Sequence, residues 1–184
     1  MSERRPRTAA LWLVPVFIVL VVGVCLWLGA WLGRQLELPP RLGLPLVVRL
    51  LGGEVVLAGL ALMGWVLGHR AVGEVWQSTA DTIARSFFRP VPSPAAASEP
   101  LVVVGPHRYL RHPLYAAVLL MLIGWWLVFD QTALLLGDGW LFLWFRFVVT
   151  YYEERELRVR YGAEWTAYAA GTPRFWPRRP RRAA

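Results

Sequence analysis

Two polar, aromatic stretches interrupt a chain that is otherwise mostly apolar. Residues 102–115 read Val-Val-Val-Gly-Pro-His-Arg-Tyr-Leu-Arg-His-Pro-Leu-Tyr. A second stretch opens at Tyr151 with Tyr-Tyr-Glu-Glu-Arg-Glu-Leu-Arg-Val-Arg-Tyr-Gly and continues through Trp165 and Tyr168 to Pro173-Arg-Phe-Trp-Pro. Pro113 suits the first turn of a helix. A helix N-terminus flanked by Arg111 and His112 favours a carboxylate. Glu153 and Glu154 favour an ammonium or a sulfonium. Tyr109, Tyr115, Tyr151 and Tyr152 offer faces for a purine or a cation, and Gly105 before Pro106 leaves room for close backbone approach. Each feature also has a plainer reading. Arg108 and Arg111 serve equally as membrane-surface anchors, Glu153 and Glu154 as the solvated start of a helix, and His107 as an interfacial residue. Tyr161, Trp165 and Tyr168 stand at packing intervals, and Trp125, Trp126 and Trp140 suit span ends.

These stretches need elements that bring them together. Hydrophobic residues are 57% of the 184-residue chain, and they are gathered into runs long enough to cross a bilayer. The runs predict spans at 9–32, 44–67, 113–129 and 132–151. The first follows Arg4, Arg5 and Arg7 but is too long for a signal-peptide core and lacks a cleavage site. Pro15 is expected to kink it. Arg49 lies near one end of the second and can reach the headgroups, whereas Glu54 lies deeper and is expected to face protein. Asp130 and Gln131 separate the last two spans, giving a tight helical hairpin that carries both polar stretches at its open end. Gly137-Asp138-Gly139 suggests an unwound turn, and Arg146 should point into the bundle.

Residues 71–88 place Val72, Trp76, Thr79, Ile83 and Phe87 at helical intervals, as in an interfacial helix. A proline-rich linker (Pro90, Pro92, Pro94, Pro100) comes next. Residues 69–112 are read as a cytoplasmic segment, 152–177 as a cytoplasmic C-terminal helix and 178–184 as a basic tail. The expected fold is all-α: a single-domain integral membrane bundle over 1–184.

All 20 basic residues are Arg, and net charge is +8. The Arg residues flank apolar runs, so lipid headgroups rather than nucleic acid are the expected counter-charge. With four spans, the N-terminus, the 69–112 segment and the tail share one Arg-rich side, which places both termini in the cytoplasm. The absence of Lys and Asn points to a GC-rich bacterial gene, hence the inner membrane. One Cys (Cys25) and three His exclude a disulfide framework and a Cys/His metal site.

The two stretches combined, Gly105-Pro-x-Arg108-Tyr-x-Arg111-His112-Pro113-x-Tyr115 and Glu153-Glu154-x-x-Leu157 with Tyr161-Gly162, Trp165, Tyr168 and Pro173-Arg174-x-x-Pro177, resemble the isoprenylcysteine carboxyl methyltransferases and phospholipid methyltransferases. The resemblance covers residues 100–177. It implies S-adenosylmethionine as cofactor and a lipid or other lipophilic acceptor arriving sideways from the membrane. By position, Leu101, Val102, Gly105, His107, Arg111, His112, Pro113, Tyr115 and Glu153 would line the cofactor site, with Glu153 on its amino group. In the eukaryotic carboxyl methyltransferases an Arg one turn before the first Glu holds the substrate carboxylate. Val149 stands there, and Arg146, seven residues before Glu153, is the stand-in on the same face. Arg146 or Arg174 would position a carboxylate acceptor. Glu154 or Glu54 would take the proton of an amine acceptor, and a thiol acceptor would need thiolate-favouring surroundings. The reading from another class is a non-catalytic membrane protein that binds lipid or a partner.

Overall fold

The computed structural model describes residues 8–69 and 101–176, which are helical with no strand. The expected interfacial helix at 71–88, the proline-rich linker, the N-terminal arginines and the basic tail lie outside the described residues.

Helix α1 spans Thr8–Gln35, continuing through Pro15, and α2 spans Leu46–His69. A 3₁₀ turn, Gly105–Arg108, leads to α3, Pro113–Phe129, which begins on the expected proline. Asp130, in the left-handed region at φ 55°, ends α3. Helix α4 comes at once, Thr132–Leu143, and runs into a π-helical turn at Trp144–Val149 and then α5, Thr150–Tyr161. Gly162, at φ 55°, breaks the chain before α6, Ala163–Gly171. The single C-terminal helix expected over 152–177 is therefore two helices and a non-helical end, because Gly162 adopts a backbone conformation that interrupts the helix. Among the described residues, two segments are long and apolar enough to cross a membrane, Leu46–His69 and the continuous Thr132–Tyr161; Val19–Gln35 and Pro113–Phe129 are shorter apolar helices.

The hairpin α3–α4 forms, but its helices pack mainly outward, α3 on α2 and α4 on α1. Small residues allow this. Gly52 and Gly124 are so close that a Cβ on either would lie 2.8 Å from the other's carbonyl oxygen. A Cβ on Gly29 would lie 2.5 Å from the Ala133 carbonyl oxygen. Close backbone approach of this kind is how apolar helices associate where lipid removes the hydrophobic driving force. Asp138 does not unwind α4. It is buried within the intact helix, its Oδ2 without a hydrogen-bond partner among the described residues. Glu54 does not face protein; it is exposed on α2.

Asp130 ties the far end of the bundle together. Its carboxylate accepts N–H bonds from Leu42 (3.1 Å), Gly43 (2.9 Å) and Leu44 (3.0 Å), in the α1–α2 link. Thr132 N donates to Pro40 O at 3.0 Å, and Arg49 Nε to Val128 O at 2.9 Å. Asp130→Ala is expected to lower stability by roughly 2–4 kcal/mol, since three N–H groups lose a charged acceptor. Thermal unfolding in detergent measures this, with the opposite end of the bundle unaffected.

Candidate active site

The start of α3 lies beside the chain's last described residues because their backbones pair. Arg111 N donates to Pro173 O at 2.8 Å, and His112 N to Arg174 O at 3.1 Å. Tyr168 adds a bond from its hydroxyl to His107 O at 2.6 Å. The two polar stretches are thus one site, floored by α3 and walled by α5.

Glu154, buried in the first turns of α5, is its hub. Arg174 grips it with two bonds, Nε to Oε1 at 2.8 Å and a terminal nitrogen to Oε2 at 2.7 Å. Arg111 pairs with Oε1 at 3.0 Å and His112 Nε2 with the same oxygen at 3.2 Å. On its other side His112 Nδ1 lies 3.4 Å from Glu153 Oε2, to which the Tyr115 hydroxyl donates at 3.0 Å. His112 therefore bridges the two carboxylates. Three aromatic contacts fix the ring layer: His112 with Tyr115 at 5.6 Å, His112 with Phe175 at 5.8 Å and Tyr115 with Phe145 at 4.8 Å between centroids.

This wiring sets the electrostatics. Burial works against charge on His112, but Glu153 and Glu154 outweigh it and hold the imidazolium up to about 9. Burial likewise disfavours the Glu154 carboxylate, yet its bonds to His112 and Arg174 and the charge of Arg111 bring it down to about 2. A raised histidine stabilises the fold fully below its unfolded value near 6.5 and loses that contribution as pH rises towards 9. The depressed Glu154 contributes above about 4.5 and fades as pH falls towards 2. Stability is expected to be greatest between these limits and to fall by up to about 3 kcal/mol from pH 6.5 to 9. Thermal melts across that range check the slope, which His112→Gln should flatten.

Arg111, His112, Pro113, Tyr115, Glu153, Glu154 and Arg174 all gather here. Leu101 and Val102 lie in the extended approach, Val102 exposed. Gly105 packs against α2, where a Cβ would fall 2.5 Å from the His69 ring, and its φ of +59° also suits glycine. His107 joins through its carbonyl, by way of Tyr168. Arg146 lies within the π-helical turn, half-buried, and its charge reaches Arg111 of the cluster. The Arg146 guanidinium lies 5.5 Å from the Phe147 ring, with no acidic partner among the described residues. Glu154 as proton acceptor is not supported, because a carboxylate held near 2 by three cations is a poor base. Glu54, the other base considered, is exposed on α2 and makes no bond to this cluster.

Sequence reasoning misses Tyr168 and Phe175. The first passes as packing. The second, buried to 4% exposure, has no polar signal. Phe175 also lines an apolar, partly open pocket of about 350 Å³ between α2 and α3, with Leu62, Trp65, Tyr109, Ala116 and Leu120 on its walls.

Apolar helices of membrane length ending in a desolvated, ion-paired cluster define a membrane-associated helical protein with a built site. A family model for phospholipid methyltransferase matches residues 56–164, and the chain belongs to that family. It is accordingly a membrane methyltransferase, and the match begins within α2, well before residue 100 where the motif resemblance starts. No curated protein and no solved structure matches the chain.

Proposed function

We propose that this protein transfers a methyl group from S-adenosylmethionine to a lipophilic acceptor, using the cluster built by α3, α5 and residues 173–175. The observation that carries this reading is the Glu153–His112–Glu154 bridge, which joins an anionic corner to a cationic one within a single site.

The residues fit a zwitterionic sulfonium nucleotide. Arg111, His112 and Arg174 bring three positive charges against the two of Glu153 and Glu154, leaving one positive charge over. Arg111 Nε is buried with no hydrogen-bond partner among the described residues, which suits a carboxylate arriving there. Glu153, with its side chain 32% exposed, offers an oxygen to an ammonium. When bound, the cofactor supplies an electrophilic methyl group. The protein's part is to align the acceptor, which can supply ~7–11 kcal/mol of the barrier, and to keep water out with the Tyr115, Phe145 and Phe175 layer. Glu154 positions Arg111, His112 and Arg174 rather than moving protons.

The apolar pocket beside Phe175 supports a hydrocarbon chain on the acceptor. Arg146, without an acidic partner among the described residues, supports an anionic group beside the methylated atom. A carboxylate on a lipidated molecule and a phospholipid phosphodiester both meet that description. The reading further places four spans in a bacterial inner membrane, with both termini and the site on the cytoplasmic side. Purified protein incubated with labelled S-adenosylmethionine and a lipid extract of its host should give a labelled product in the organic phase. Mass spectrometry then assigns the acceptor. No labelled product together with no binding of S-adenosylmethionine, seen as no cofactor-dependent thermal stabilisation, would return the chain to the non-catalytic lipid-binding class.

A further inference from the structure

Helix α2 carries two seams with a seven-residue repeat, and the described residues of one chain cover only one. Gly52, Gly59 and Val66 are the buried residues of α2, and Gly52 and Gly59 lie against α3. On another side, Leu46, Leu50, Gly53, Leu57, Leu60, Gly64 and Leu67 succeed one another at intervals of four and three. That is the alternation of a two-helix seam. This side has no partner among the described residues. Leu46, Leu50, Leu57 and Leu60 are 68%, 65%, 59% and 48% exposed, and a Cβ on Gly53 or Gly64 would meet nothing within 4 Å.

Apolar exposure alone would be ordinary for a helix in lipid. The flanks of the seam are not. Glu54 is exposed, eight residues into an apolar helix, and makes no hydrogen bond or ion pair among the described residues. Arg49, also exposed, gives its Nε to Val128 O and has no acidic partner among the described residues. Ionisable groups at such depth face protein or pair with one another. These two cannot pair within one helix, being about 140° apart around it.

We infer that two copies of this chain associate through α2, in parallel, along this outward seam. Copies inserted by the same rule share one orientation, so their α2 helices meet parallel rather than antiparallel. In a parallel pair, the residue before one core position faces the partner's residue five places further on. Arg49 and Glu54 are five apart and stand at those two flanking positions. A twofold axis then gives two equivalent ion pairs, Arg49 to the partner's Glu54 and the reverse. Gly53 and Gly64 let the backbones come close at the crossing. The association is independent of the methyl-transfer reading.

Single cysteines placed in a Cys25→Ser background test this in native membranes. Under mild oxidation, Leu50→Cys and Leu57→Cys should give a disulfide-linked species at twice the 20.9 kDa chain mass, and Val55→Cys, off the seam, should not. In the Leu57→Cys protein, Arg49→Glu alone and Glu54→Arg alone should each cut the cross-link by roughly three- to fifteen-fold, the range that intramembrane polar pairs carry. Joining the two exchanges should restore it, which separates a broken pair from a misfolded chain. Cross-links at position 55 equal to those at 50 and 57, no cross-link at either seam position, or a double exchange as weak as the single ones would overturn the proposal. A cross-link to a different protein in place of the dimer would overturn it as well.

Discussion

Glu154→Gln is expected to cost roughly 3–5 kcal/mol of folding stability, the usual loss when one partner is removed from a buried charge network. Three cations converge on this carboxylate, and Arg111 and His112 are largely shielded from water. Glutamine keeps the shape and one acceptor but none of the charge, so Arg111, His112 and Arg174 would be left repelling each other. Because Arg174 is bonded through both Nε and a terminal nitrogen, its release should also loosen the 173–175 segment from α3. Thermal unfolding in detergent should therefore show a large drop, and a protease should cut after Arg174 more readily. Adding Arg174→Gln to Glu154→Gln should recover part of the stability, since one stranded charge is removed with its partner. An unchanged melting temperature in Glu154→Gln would mean that this cluster does not hold the site together.

Glu153→Gln should separate binding from folding. Glu153 is the more exposed of the two acids, and its partners Tyr115 and His112 can both bond to a glutamine oxygen. The chain should still fold, with part of the stability that His112 contributes lost because Glu153 no longer helps hold it charged. Affinity for S-adenosylmethionine should fall by roughly 10- to 100-fold, as expected when a charge-assisted bond to the cofactor's ammonium becomes neutral. Titration calorimetry measures it. Tyr115→Phe serves as comparison: it removes only a hydroxyl bond to Glu153 and should weaken binding much less. Equal affinities for wild type and Glu153→Gln would remove Glu153 from the cofactor site.

Much of this architecture is legible in the sequence, because apolar runs and their polar punctuation obey simple rules. The third predicted span coincides with α3, 113–129, since Pro113 and Asp130 mark its ends by conformation as well as by polarity. The meeting of the Arg111–Tyr115 and Glu153–Glu154 stretches is legible too, because a hairpin with a two-residue link must bring its open ends together. The inferences that fail are those resting on unbroken helical geometry. The π turn at Trp144–Val149, which holds Arg146, has no Gly or Pro to announce it, so a count of regular α turns back from Glu153 does not describe this stretch. The glycines flanking Asp138 suggest a break, yet the helix continues through both; Gly137 serves packing, set against Gly29 of α1, and Gly139 faces open space. An interior place for Glu54 presumes that one chain supplies all its partners, and its exposure is what points beyond one chain. Phe175 cannot be singled out, since an aromatic residue that roofs a site reads in sequence like any other buried ring.

The most direct test of the shared site is photolabelling. The purified protein is illuminated with S-adenosylmethionine labelled in its methyl group, digested, and its labelled peptides are identified. Label is expected on peptides from both 105–115 and 151–176, and excess unlabelled cofactor should abolish it. Label confined to one of the two stretches, or found elsewhere in the chain, would contradict a cofactor site built jointly by them.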